Sequence, residues 1–174
     1  NIEDIQAYLG RVSLKPGDVV IDMGAYCGFS SYLFSKNVGP TGKVIALEPD
    51  AENFLALSEN VKRHKLGNVS LVNKAIWSED GEVNFVSEGN MGSYVGKRRL
   101  FGRETRVQAM NLKSILRSHG ISDVNFIKMD IEGSEIEVAR SLDWFLPMTR
   151  SSFIIECHYL ENGFLSNRYL APFF

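Results

Sequence analysis

The stretch "DVVIDMGAYCGFSS", residues 18–31, begins as an apolar run, meets Asp22, and breaks into glycines at Gly24 and Gly28. An apolar strand that ends in a glycine-bearing turn and restarts as a helix is a common ligand cradle, because the first amides of the helix have no partner of their own. A dinucleotide fingerprint, G-x-G-x-x-G, uses its second glycine to bring backbone close to a pyrophosphate. Counted from Gly24, that place is held by Tyr26 and the third by Phe29. Bulky side chains therefore stand where phosphate must approach, and no Lys or Arg nearby adds charge. Asp22 directly before the turn favours a cation instead.

Working outward, strand and helix signals alternate. Residues 2–9 form a short amphipathic helix candidate, and Lys15-Pro16-Gly17-Asp18 is a turn ahead of a strand over 19–21. A helix follows over 29–36 and a second apolar strand over 43–47. Asp50 is placed to cap a helix carrying Phe54, Leu57 and Val61 at helical spacing, with Gly67 as its stop. A third strand is predicted over 69–76. Glu79-Asp80-Gly81 is a tight turn into an extended piece at 82–86, and 105–109 is extended again. Between them, 87–103 is a long glycine-bearing loop with Lys97, Arg98, Arg99 and Arg103. Asn111 caps a helix stopped by Gly120; a buried strand at 125–129, a helix over 134–142 and a strand over 152–157 complete the series. Strands apolar on both faces that alternate with helices predict an α/β fold: a doubly wound, mainly parallel Rossmann-like sheet with helices on both faces. One domain covers 1–174, with 1–15 as lead-in and 159–174 as its last part.

In such sheets ligands sit outside the carboxyl ends of the strands, which turns strand ends into site candidates. After Asp22 and the glycine turn, the second end is Leu47-Glu48-Pro49-Asp50. An acid at this place hydrogen-bonds ribose hydroxyls, a role Glu48 fits for NAD or for S-adenosylmethionine (SAM), while Asp50 reads as a helix cap. SAM has no phosphate, and its ammonium, carboxylate and sulfonium suit a carboxylate beside helix-start amides. The third end, Asn73-Lys74-Ala75-Ile76, lies where an adenine would rest. The fourth, "FIKMDIEGSE" (126–135), presents Asp130 and Glu132 across the crevice, Asp130 being also a candidate helix cap. A metal reading of Asp130 and Glu132 lacks a third ligand in the sequence nearby. The fifth end, Glu156-Cys157-His158, holds one of three histidines; His64 and His119 fall in helix tails, on the surface.

Composition narrows the classes. The chain has 174 residues, 44% hydrophobic and 23% charged, with net charge -2, so disorder is excluded and nucleic acid is not favoured as a partner. No apolar run approaches the ~20 residues of a membrane span. Two cysteines, Cys27 and Cys157, make neither a disulfide framework nor a metal spacing, and free thiols place the protein in the cytoplasm. The chain starts at Asn1 and its tail "NRYLAPFF" (167–174) carries no helix stop, so it reads as cut at both ends.

With these residues in hand the sequence resembles the FkbM-type family of SAM-dependent methyltransferases. The resemblance rests on "VVIDMGAYCGFSS", "VIALEPD", "NKAIW" with "DGEVNF", "FIKMDIEGSE" and "IIECH", in order, over 19–158. It implies a class I methyltransferase fold, a SAM cofactor, and methyl transfer, often to a hydroxyl of a sugar or small-molecule scaffold. By position it implies that Asp22, Gly24, Ala25, Tyr26 and Gly28 cradle SAM, that Glu48, beside Pro49, binds the ribose, and that Asn73 and Ala75 lie at the adenine. Asp130 and Glu132 then stand near the transferred methyl. The family often has Asn in place of Tyr26. Its sheet has two further strands, which nothing after His158 supplies, so either the chain is cut or the sheet is short.

Methyl transfer to an alcohol is helped by a base within hydrogen-bond reach. His158 is the first candidate, since an unperturbed imidazole titrates near neutrality, and Asp130 the second. The 87–103 loop either folds over the acceptor or is a solvated loop. Two rival readings remain: a nicotinamide-dependent oxidoreductase on the same fold, against which Tyr26 and Phe29 count, and a non-catalytic SAM-binding or assembly domain.

Overall fold

Five parallel strands form the central sheet of the computed structural model, which describes residue 10 and residues 12–87, 93–95, 103–159 and 164–174. The helix expected over 2–9 and the Lys97, Arg98 and Arg99 portion of the long loop lie outside the described residues. In chain order the elements are β1 (Val19–Met23), α1 (Phe29–Val38), β2 (Lys43–Leu47), α2 (Ala51–Arg63), β3 (Val69–Val72), β4 (Ala75–Ile76), β5 (Gly81–Ser87), β6 (Tyr94–Val95), β7 (Arg103–Met110), α3 (Leu112–Ser118), β8 (Phe126–Met129), α4 (Glu135–Arg140), β9 (Ser152–Ile155) and α5 (Asn167–Leu170). The sheet order is β3-β2-β1-β8-β9. The chain thus runs outward from β1 to β3, then returns to set β8 against β1, pairing Asp22 with Lys128 and Met23 with Met129. That reversal is the switch point where the strand ends open a crevice.

Strand residues alternate between the faces of the sheet, and both faces are buried. Val20, Val44 and Phe126 meet Phe34 and Val38 of α1. Ile21, Ile45 and Ile127, with Met23, Leu47 and Met129, meet Leu112 and Ile115 of α3 and Val138 of α4. Helices therefore cover both faces, as the apolar strands require.

The third strand differs from expectation. The run 69–76 is divided: β3 stays in the parallel sheet, while β4 turns away to a second sheet of order β4-β7-β5-β6. The division falls at Asn73, whose side-chain amide donates to the Glu48 carbonyl at 2.8 Å instead of continuing a ladder. In the second sheet β5 and β7 pair antiparallel from Gly81↔Ala109 to Ser87↔Arg103. Asp80 fixes its base, accepting from the Asn111 N–H at 2.8 Å and Ser114 Oγ at 2.6 Å. α2 also ends earlier than Gly67: Lys65 takes a left-handed φ of 53° and the Leu66 N–H donates back to Val61.

Candidate functional site

The turn after β1 is fixed from below. Asp22 is fully buried, and its Oδ2 accepts from Ser30 Oγ at 2.7 Å and Ser31 Oγ at 2.6 Å, which ties β1 to α1. Lys128, on the neighbouring strand, donates to the Gly24 carbonyl at 2.6 Å and lies 3.5 Å from Asp22 Oδ1 and 3.3 Å from Asp130 Oδ2. Burial alone would depress the Lys128 pKa, but the two aspartates hold it above the usual lysine value. Gly24 has a φ of 76°, and a Cβ there would lie 1.8 Å from the Asp130 carbonyl oxygen. Only glycine allows β1 and β8 to converge so tightly at their ends.

Glu48 closes the next side. Its Oε2 accepts from the Tyr26 N–H and its Oε1 from the Asp50 N–H, each at 2.9 Å. Tyr26 holds a φ of 50°, the backbone conformation that turns its N–H toward this carboxylate. Burial raises the Glu48 pKa to about 7 against these stabilising amides. Asp50 caps α2, as expected, accepting from the Glu52 and Asn53 N–H groups. It does more: Oδ2 accepts from the hydroxyls of Ser87 and Ser93, so the second sheet is tied to the same corner.

Between these corners lies a cleft. Gly24, Tyr26, Glu48, Pro49 and Ala75 line it, with Asp130 and Glu132 on the far side. Seven positions named from the sequence thus share one cavity. Five others do not line it: Asp22 lies beneath the turn, Ala25 is in the core against Leu57, Gly28 packs on the Leu57 side chain, Asn73 orients the Glu48 backbone, and His158 lies beyond Asp130. Sequence reasoning missed Phe85, Tyr94 and Val95, which form the opposite wall. They come from the second sheet, whose pairing with β7 no local pattern announces. His64 stacks edge-on to Tyr32 and His119 ends α3, both away from the cleft.

Beyond Asp130 the chemistry changes. His158 lies just past β9; its Nδ1 is 3.0 Å from Glu135 Oε1, and its Nε2 faces Asp130 Oδ1 at 3.6 Å and Glu132 Oε2 at 3.4 Å. The hydrogen bond to Glu135 comes first in raising the His158 pKa to about 9, against partial burial and with help from the three carboxylates. The near-neutral titration that makes an ordinary histidine a base is absent here: this imidazole carries its proton at pH 7. Burial also raises the Glu132 carboxyl above the usual range, and Glu132 holds a φ of 53°. Asp130 is not the cap of α4; Ser134 occupies that place, and the Asp130 carboxylate serves Lys128 and His158. Glu135 reaches back to accept from the Ile131 N–H. Among the described residues, no helix is long and apolar enough to cross a membrane.

The fold is that of a Rossmann-like class I methyltransferase. The chain matches the methyltransferase FkbM domain over residues 22–170 and belongs to that family. It is 27% identical over 168 residues to the 31-O-demethyl-FK506 methyltransferase FkbM of Streptomyces tacrolimicus, covering 76% of this chain and 64% of that protein. The crystal structure of a methyltransferase FkbM from Methylobacillus flagellatus superposes with a TM-score of 0.57 at 18% identity, covering 84% of this chain and 34% of that one. A SAM-dependent O-methyltransferase of Thermotoga maritima gives 0.57 at 15% identity, over 98% and 48% of the two chains. This chain spans less than two thirds of each curated relative it matches. SAM is the cofactor expected of this fold and family.

Proposed function

We propose that this chain is a SAM-dependent methyltransferase domain that methylates a hydroxyl of a sugar or small-molecule scaffold. The observation that carries the reading is Glu48. Both its oxygens accept from backbone amides at 2.9 Å and the Asn53 side chain adds a further bond, which fixes the carboxylate in place on a cleft with an apolar wall. Paired hydroxyls of a ribose match that carboxylate, and Pro49, Ala75 and Ile76 match the flat apolar face of an adenine. The Asp130 carboxylate beside the Gly24 turn suits an ammonium or sulfonium. The residues present therefore fit SAM. When bound, SAM supplies a methyl already activated on sulfur.

The protein's share is alignment, exclusion of water and a place for one proton. A carboxylate of the cleft would take the proton of the acceptor hydroxyl. Glu132 is best prepared: it lines the cleft, and burial moves its carboxyl toward neutrality. Asp130 is the alternative. His158, charged at rest, acts as a positioning residue that holds both carboxylates. Hydroxyl methylation draws support from the Streptomyces relative, whose name specifies a 31-O methyl acceptor. Radiolabelled methyl transfer to a panel of glycans and small alcohols tests the reading. Labelled product that disappears in Glu132→Gln, with SAM binding kept, is the expected result; SAM turnover with no dependence on any hydroxyl acceptor would refute it.

A further inference from the structure

The carboxyl ends of β8 and β9 hold a group of donors that neither the cofactor nor the proton path uses in full. We propose that Asp130, Glu156 and His158 form a divalent-cation site on the acceptor side of the cleft. One ligand atom from each lies within 4.8 Å of the others, the only such group of three among the described residues. The register of the sheet makes the convergence: Met129 pairs with Ile155, so Asp130 and Glu156 are the next residues of two adjacent parallel strands. The Glu156 N–H donates to the Met129 carbonyl at 2.9 Å, which holds the two ends level. The sequence alone offered Asp130 and Glu132 without a third ligand; the neighbouring strand supplies it.

His158 is oriented as a ligand, its Nε2 releasing its proton to solvent as the ion binds. Its Nδ1 meets Glu135, a carboxylate with no solvent exposure, which leaves Nε2 pointing at Asp130 and Glu132. The 3.6 Å between Nε2 and Asp130 Oδ1 exceeds an ordinary hydrogen-bond length, and it matches two donors spread around an ion held at ~2.0–2.2 Å from each. A histidine whose second nitrogen is anchored by a carboxylate is the usual supporting arrangement of a metal ligand. The backbone of His158 is clamped as well, its N–H on Ser166 Oγ at 3.1 Å and its carbonyl on the Ser166 N–H at 2.9 Å.

The anchoring carboxylate is itself buried. Glu135 Oε2, on that fully buried side chain against His158, has no hydrogen-bond partner among the described residues. Among the described residues, Asp130, Glu132 and Glu135 outnumber the cations Lys128 and His158 that pair with them. Lys128 engages Asp130 Oδ2 and leaves Oδ1 to the site. Two carboxylates and an imidazole favour Mn²⁺ or Zn²⁺ over Ca²⁺ or Mg²⁺. Three protein ligands leave positions open, where the ion can take the acceptor oxygen and ease loss of its proton. That role rests on the methyl-transfer reading; binding of the ion does not.

The test uses the whole chain, stripped with a chelator and titrated with Mn²⁺ while free ion is followed by EPR. One saturable Mn²⁺ per chain is expected, with pulsed EPR showing coupling to a single imidazole nitrogen. Glu156→Gln and His158→Ala should each weaken it at least tenfold. The conservative Glu135→Gln should weaken it by about 10–100-fold through the anchoring bond. Glu137→Gln, on the exposed side of α4, should leave it unchanged. Absence of saturable binding, or saturable binding without nitrogen coupling, would overturn the site; so would wild-type affinity in Glu156→Gln. Calorimetry with SAM on the same samples separates the two readings: Mn²⁺ bound without SAM removes the methyl-transfer role alone, and SAM bound without Mn²⁺ removes the metal site alone.

Discussion

The two halves of the crevice solve the burial of charge in different ways. At the ends of β1 and β2, Asp22 and Glu48 are answered by hydroxyls, backbone amides and one lysine, all held by the fold itself. At the ends of β8 and β9, Asp130, Glu132 and Glu135 gather around a single imidazole, and Asp130 and Glu132 line the cleft. The first arrangement is rigid before any ligand arrives, as suits a cofactor of constant shape. The second is incomplete alone, as suits a reacting hydroxyl or a cation.

Substitutions can break this contrast, and the largest effect belongs to the residue that joins the halves. Lys128→Met leaves Asp22 buried without its cation and should cost about 3–5 kcal/mol of stability, read from urea denaturation. A cost below 1 kcal/mol would show that Ser30 and Ser31 suffice. Gly24→Ala comes next: a methyl group 1.8 Å from the Asp130 carbonyl, at a φ of 76°, should cost about 3 kcal/mol and spread the ends of β1 and β8. Its melting curve against wild type checks this.

Glu48→Ala should leave folding cooperative and weaken SAM binding by about 10–100-fold, the worth of hydrogen bonds to a charged group. Glu48 also sets a pH dependence. Its pKa of about 7 means that the proton is bound below neutrality, and the protonated form accepts fewer hydrogen bonds from a ribose. SAM affinity should therefore fall about tenfold from pH 8 to pH 6, and Glu48→Gln should flatten the profile. A profile unchanged by that substitution would place the titration elsewhere. The smallest effect is at Asp50, where loss of the cap should cost about 1 kcal/mol, checked by thermal melting.

The parallel sheet was legible because its strands are buried on both faces, so that Val19–Met23, Lys43–Leu47 and Phe126–Met129 read as apolar runs whatever their neighbours. The second sheet was not, since β5 must find β7 across a long intervening segment. The break at Asn73 was hidden for a similar reason: its amide is committed to Glu48, remote in sequence. Strand-end logic named Glu48 and Asp130, which the fold brings to one cleft, and His158, which lies against Asp130. It could not find the charge state of His158, which depends on Glu135, a residue that reads locally as an acid at a helix start. Nor could it find that Asp22 lies beneath the turn, because Lys128 comes from another strand.

Calorimetric titration of the purified chain with SAM and, separately, with NADH tests the central claim most directly. One SAM per chain, no heat from NADH, and loss of the SAM signal in a folded Glu48→Ala are the predicted results. Binding of NADH in place of SAM, or SAM binding indifferent to Glu48, would contradict the account.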